Sequence, residues 1–194
     1  EESYLHELKQ LKSGGSDDFA SKDFFLINSA RYSVLVALLR GDVGGGLDVF
    51  ALDLDAALLR DPFPFVTSQP YDLLLQSDAR DAGSLQEHSP YLLRDRLLRP
   101  NLTAVTYVNG GVFFARGTRA VARLFEDAWA LVSQDLGTLN EQDCLNRMLL
   151  ASHLRWAPLS PLLFPNGYVY FRRPLPGERQ PQGGPVLIHS NWIN

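Results

Sequence analysis

Val49-Phe50-Ala51-Leu52-Asp53-Leu54-Asp55 is an apolar run that closes on two carboxylates one residue apart. The stretch from Leu47 to Leu54 is short, mostly apolar and bounded by turn residues. Gly44-Gly45-Gly46 precede it, and Pro62 and Pro64 fix an extended exit. Those are the marks of a buried strand. Alternation along an extended chain puts Asp53 and Asp55 on the same side, a few ångströms apart. Like charges that close repel unless a proton or a cation sits between them. Hard oxygen ligands suit Mg²⁺ or Mn²⁺, ions that also hold substrate phosphates. The bland reading of an isolated Asp-x-Asp is a pair of solvated aspartates capping a turn.

On the N-terminal side, Tyr4, Leu5, Leu8 and Leu11 have helical spacing, and Ser13-Gly14-Gly15-Ser16 ends that helix in a flexible loop. Ser29 is placed to cap a second helix running to Arg40, with Val34, Leu35, Leu38 and Leu39 on one face. Beyond the acidic pair, Tyr71 to Leu75 reads as a strand followed by polar Gln76, Ser77 and Asp78. Ser89 and Pro90 open a short surface helix carrying Arg94 and Arg96, with Arg99 just beyond. Thr103 to Val108 and Gly111 to Ala115 are β-rich runs around an Asn109-Gly110 turn. Gly117 to Val132 and Glu141 to Ser152 have amphipathic helical spacing, and Val186 to His189 reads as a last buried strand. Strands alternating with helices indicate an α/β domain. Residues 1–22 form an N-terminal helix and loop in this reading, and 23–194 the main domain.

The 194 residues, 45% hydrophobic and 21% charged, have the composition of a single globular domain. A net charge of −4 argues against a nucleic-acid partner, since phosphate binding wants a basic face. Cys144 is the only cysteine, which excludes an intrachain disulfide and a cysteine zinc cluster. The longest largely apolar run, Tyr32 to Leu39, is far short of a membrane helix. A chain that opens without methionine reads as a piece of a longer protein, with any membrane anchor outside this segment.

Two enzyme classes end a strand in Asp-x-Asp. Haloacid-dehalogenase-like phosphatases also need a later cation, usually lysine, and a downstream acidic pair for Mg²⁺. No lysine follows Lys22, and no Asp-Asp follows Asp55. In metal-dependent glycosyltransferases, Asp53 and Asp55 would hold an ion bridging the diphosphate of a nucleotide-sugar. His189, after an apolar strand, is where a third ligand would arrive; alone it would be a hydrogen-bonded strand-end histidine.

Six motifs follow in order: Asp53-Leu54-Asp55 with Arg60-Asp61-Pro62, then Ser77-Asp78, Asn109-Gly110-Gly111, Glu141-Gln142 with Asn146, Phe164-Pro165-Asn166-Gly167, and His189-Ser190-Asn191. The ordered set resembles the nucleotide-diphospho-sugar transferase family of plants and algae, related to the plant arabinosyl- and xylosyltransferases (glycosyltransferase family 77). The resemblance implies a GT-A-like, Rossmann-related mixed sheet flanked by helices, here without the first nucleotide-binding strand. It implies Mn²⁺ (or Mg²⁺) and retention of anomeric configuration.

Carried over, the resemblance makes Asp53, Asp55 and His189 the metal ligands. It places Asp78, Asn109, Gly110 and Asn191 at the donor, with Gln142 and Glu141 near the anomeric carbon. Arg31 stands where related enzymes present a cation to the diphosphate or donor. The expected function is transfer of a sugar, with a pentose as the expectation, from a UDP-sugar to a glycan or hydroxyproline-rich glycoprotein. The Golgi lumen is the expected location, as a type II membrane protein in full length. A non-catalytic carbohydrate-binding or scaffold domain is the alternative. The Asn101-Leu102-Thr103 sequon is consistent with a secretory lumen. Trp129 and Trp156 fit core packing, and Trp192 lies beside His189 in sequence.

Overall fold

The structure, a computed structural model, describes residues 22–41, 46–78, 108–134, 140–172 and 183–191. Helix α1 spans Lys22–Arg40, followed by strand β1 (Val49–Leu52), strand β2 (Ala56–Leu58) and the single turn α2 (Phe63–Val66). Strands β3 (Leu73–Ser77) and β4 (Val108–Ala115) come next, then helices α3 (Arg119–Gln134) and α4 (Glu141–Ala151). Strand β5 (Trp156–Pro158), a π-helical turn (Tyr168–Arg172) and strand β6 (Leu187–His189) complete the order. Among the described residues, no helix is long and apolar enough to cross a membrane.

The main sheet has the order β1-β4-β3-β5, with β4 antiparallel to both neighbours and β3 parallel to β5. It is therefore a mixed α/β sheet, as a GT-A-like fold requires. Every residue of β3 and β4 is buried, because both faces of the sheet are covered. Phe113, Ala115, Leu73 and Leu75 point to one side and pack on α1, α3 and α4. Val112, Phe114 and Leu74 point to the other side and meet Val66, Phe164, Val186 and Leu187. Helix α3 buries Val121, Ala122, Leu124, Phe125, Ala128 and Val132, a stripe at three- and four-residue intervals. Phe125 stacks on Phe113 at 5.2 Å between ring centroids and tilts against Tyr32 of α1 at 5.3 Å. Trp156 is buried, and Trp129 packs against the same core.

A second, two-stranded sheet pairs β2 with β6, setting Ala56 opposite His189. The backbone N–H of Ser190 donates to the Asp55 carbonyl at 2.9 Å, so the last strand is fastened to the acidic segment. The C-terminal ends of β1 and β3 and the N-terminal half of β4 share one edge of the main sheet.

Three local expectations change. Ser29 does not open the helix, since α1 begins at Lys22 and runs through it. Asn109-Gly110 makes no hairpin turn, because β4 continues through it from Val108 to Ala115. One residue of β3, Gln76, lies between the pairs Leu75↔Phe113 and Ser77↔Val108, while four residues of β4 do. The Asn-Gly-Gly segment takes up that register shift. Asp53 and Asp55 also do not share a side by strand alternation: β1 stops at Leu52, and a turn closed by Ala56 N–H on the Asp53 carbonyl at 3.1 Å brings them together. The helices expected near Tyr4 and Ser89, the strand from Thr103, the arginines 94, 96 and 99, the Asn101 sequon and Trp192 lie outside the described residues.

Candidate metal and donor site

The sheet edge gathers residues far apart in sequence. Asp53 and Asp55 come from the turn after β1, and His189 closes β6. One ligand atom from each lies within 4.8 Å of the others. His189 is 2% exposed, and its Nε2 is 3.1 Å from Asp55 Oδ1 and 4.0 Å from Asp53 Oδ2. A neutral imidazole nitrogen and a carboxylate oxygen both offer electron pairs, so their approach needs a positive centre, a proton or a metal. The donor set of two carboxylates and one imidazole fits a divalent cation.

Gly111 makes room for this arrangement. A Cβ there would lie 2.1 Å from Asp53 Oδ2 and 2.7 Å from its Cγ. The Asp53 carboxylate thus rests against the bare backbone of β4. Its other oxygen meets Arg31 Nη1 at 2.6 Å, and Arg31 Nη2 is 3.8 Å from Glu141 Oε1. Burial works against the Arg31 charge, but Tyr32, Asp53 and Glu141 outweigh it and hold its pKa above the ordinary arginine value. Burial also raises the Glu141 carboxyl above the usual glutamate range; Asp53 and Asp143 add to this, and Arg31 only partly offsets it.

Helix α4 presents its first turn to the same edge. Asn140 and Asp143 form a reciprocal capping box, the Asp143 N–H donating to Asn140 Oδ1 at 2.7 Å. That cap fixes Glu141 and Gln142 as the leading residues of the helix. Asn146 ties α4 to β4, bonding the N–H and the carbonyl of Val108 at 2.9 Å each. Tyr32 Oη donates to the Glu141 carbonyl at 3.2 Å and ties α4 to α1.

Gln142 is held at both ends of its amide. Its Oε1 accepts the Gly110 N–H at 3.0 Å, and its Nε2 donates to Asp78 Oδ2 at 3.3 Å. Asn109 Nδ2 donates to the other Asp78 oxygen at 3.4 Å, and Asn109 Oδ1 accepts the Gly111 N–H at 2.7 Å. Asp78, Asn109, Gly110 and Gln142 therefore form one connected group. Asn191, one turn past β6, accepts the Gly167 N–H on its Oδ1 at 3.2 Å. Its Nδ2, together with Arg31 Nε and Glu141 Oε2, is buried without a hydrogen-bond partner. Buried polar atoms without a partner are rare in native structures.

All ten residues singled out in the sequence thus lie along this one edge, in two linked groups and the Asn191 corner. Two contributors were missed. Asn140-x-x-Asp143 is a capping pattern that was readable before the helix. Gln76, legible only as the polar end of a strand, is 1% exposed and bonds His189.

The family whose sequence model is described as nucleotide-diphospho-sugar transferase matches residues 2–194, and the chain belongs to that family. A search of curated proteins finds no match.

Proposed function

Starting from that family membership, we propose that this chain is the catalytic domain of a metal-dependent, retaining glycosyltransferase. Its donor is a UDP-sugar, with a pentose as the sugar moved, and its acceptor a glycan or hydroxyproline-rich glycoprotein. The ordered motifs support a place near glycosyltransferase family 77, and that chemistry together with the Asn101 sequon supports the Golgi lumen. The observation that carries the reading is the convergence of Asp53, Asp55 and His189 ligand atoms within 4.8 Å. The same edge presents the hydrogen-bonded group around Gln142.

Asp53, Asp55 and His189 would hold Mn²⁺ or Mg²⁺. Such an ion, when bound, supplies Lewis-acid stabilisation of a departing nucleoside diphosphate. Arg31 already sits among these carboxylates with its charge secured, and its part-exposed guanidinium offers a cation to the diphosphate. Asp78, Asn109 and Asn191 read donor hydroxyls. Gln142 serves the reacting carbon: its amide oxygen steadies positive charge at the anomeric centre in a same-face displacement. The Gly110 N–H on that oxygen makes it a still poorer nucleophile, which favours the same-face route over a covalent intermediate.

The test is a panel of UDP-sugars incubated with Mn²⁺, with UDP release and the anomeric configuration of the product followed by NMR. The expected result is Mn²⁺-dependent turnover of one donor with retention. Donor binding without any UDP release would instead identify a carbohydrate-binding or scaffold domain, and an inverted product would remove the role given to Gln142.

A further inference from the structure

Gln76 is a polar side chain where the sequence otherwise builds an apolar strand, Leu73-Leu74-Leu75. At 1% exposure it would cost free energy unless both ends of its amide were used. Both are. Its Nε2 donates to the Phe164 carbonyl at 3.0 Å, and its Oε1 lies 2.7 Å from His189 Nδ1. A carbonyl only accepts, so Phe164 fixes which end of the amide is which. The oxygen must then face the imidazole, and the hydrogen of that bond must belong to Nδ1. Gln76 lies at the register shift between Leu75↔Phe113 and Ser77↔Val108, which the Asn109-Gly110-Gly111 segment of β4 takes up.

We propose that Gln76 is a positioning residue for the metal site, holding His189 as the Nδ1–H tautomer so that the Nε2 lone pair faces Asp53 and Asp55. This rests on the metal-dependent reading above. Ligand histidines depend on such an outer partner for orientation and tautomer. In a neutral ring without it, Asp55 Oδ1 at 3.1 Å from Nε2 is the acceptor that competes for the proton. A proton captured there occupies the nitrogen that a cation needs.

Gln76→Met keeps the length and fills the space but removes the acceptor. Mn²⁺ binding to the whole chain in the presence of UDP is read from the electron paramagnetic resonance of free Mn²⁺. Thermal melting reports the fold. The expected loss of Mn²⁺ affinity is on the order of 10- to 100-fold. Nitrogen NMR of His189 without metal, at a pH that keeps the ring neutral, supplies a signature that mere packing would not move. It should show the proton on Nδ1 in the parent chain and on Nε2 in Gln76→Met. The proposal is overturned if the parent ring carries its proton on Nε2, or if folded Gln76→Met binds Mn²⁺ within about twofold of the parent. A parent chain that binds no Mn²⁺ beside UDP would overturn the metal reading itself, and this inference with it.

Discussion

Gly111→Ala is the smallest change that should disable the acidic pair while sparing the domain. The new Cβ would lie 2.1 Å from Asp53 Oδ2, 2.7 Å from Asp53 Cγ and 2.9 Å from Asn109 Oδ1. Ordinary contact between non-bonded heavy atoms is about 3.5 Å, so the carboxylate must retreat by more than about 1 Å. Metal–oxygen bonds for ions of this type are about 2.1 Å, and a ligand displaced that far no longer fits the same shell. The side chain of Asp53 is 39% exposed and has room to swing away, so the fold should bear the change. Overpacking of this mild kind costs about 1 kcal/mol. For a chain of this length that lowers Tm by about 2–4 °C. Mn²⁺ affinity should fall by at least about 10- to 100-fold, the loss caused by disturbing even an outer partner of a ligand. Calorimetric Mn²⁺ titration beside UDP, with a melt on the same sample, measures both. Gly110→Ala is the control, because its Cβ meets nothing nearer than 3.4 Å. Full Mn²⁺ affinity in folded Gly111→Ala would refute Asp53 as a ligand.

Asp55→Ala should abolish Mn²⁺-dependent donor binding and leave the melting curve nearly unchanged, since this residue lies on an exposed turn after β1; nucleotide titration with and without Mn²⁺ checks it. Gln142→Ala should lower turnover on the order of 10²-fold with little change in donor affinity, as when one charge-stabilising group is removed. Near-normal turnover would move the assignment to Glu141 or Asp78. Glu141→Gln tests the electrostatics. Because burial raises the native Glu141 pKa, the folded state holds its proton at pH values where the unfolded chain has lost it. Native stability therefore falls as pH rises from about 4.3, the unfolded value, through the raised native one. The melting temperature of Glu141→Gln relative to the parent should climb over that interval, and a pH-independent difference would contradict the raised value.

Much of this was legible because it follows from local pattern. The apolar run into Asp53, the stripe from Val121 to Val132 and the strand ending at His189 are each set by neighbours in sequence. One failure has its cause outside the segment. Asn109-Gly110 carries a strong turn signal, yet β4 runs through it between the pairs that Val108 and Phe113 make with β3, and both residues are buried. What the glycines provide is close approach, Gly111 to the Asp53 carboxylate and Gly110 to the Gln142 amide. Strand β2 is only three residues long and has no partner until β6 arrives. The Gln76–His189 bond joins positions 113 residues apart, and nothing near either residue announces the other.

The central claim is that the carboxylates after β1 and the histidine ending β6 hold the ion of a nucleotide-sugar donor site. The most direct measurement is anomalous X-ray scattering at the manganese edge from crystals of the chain grown with Mn²⁺ and UDP. The expected result is a single strong peak bonded to Asp53, Asp55 and His189 Nε2, with the nucleotide diphosphate beside it. An ordered nucleotide with no manganese peak at these three side chains would contradict it.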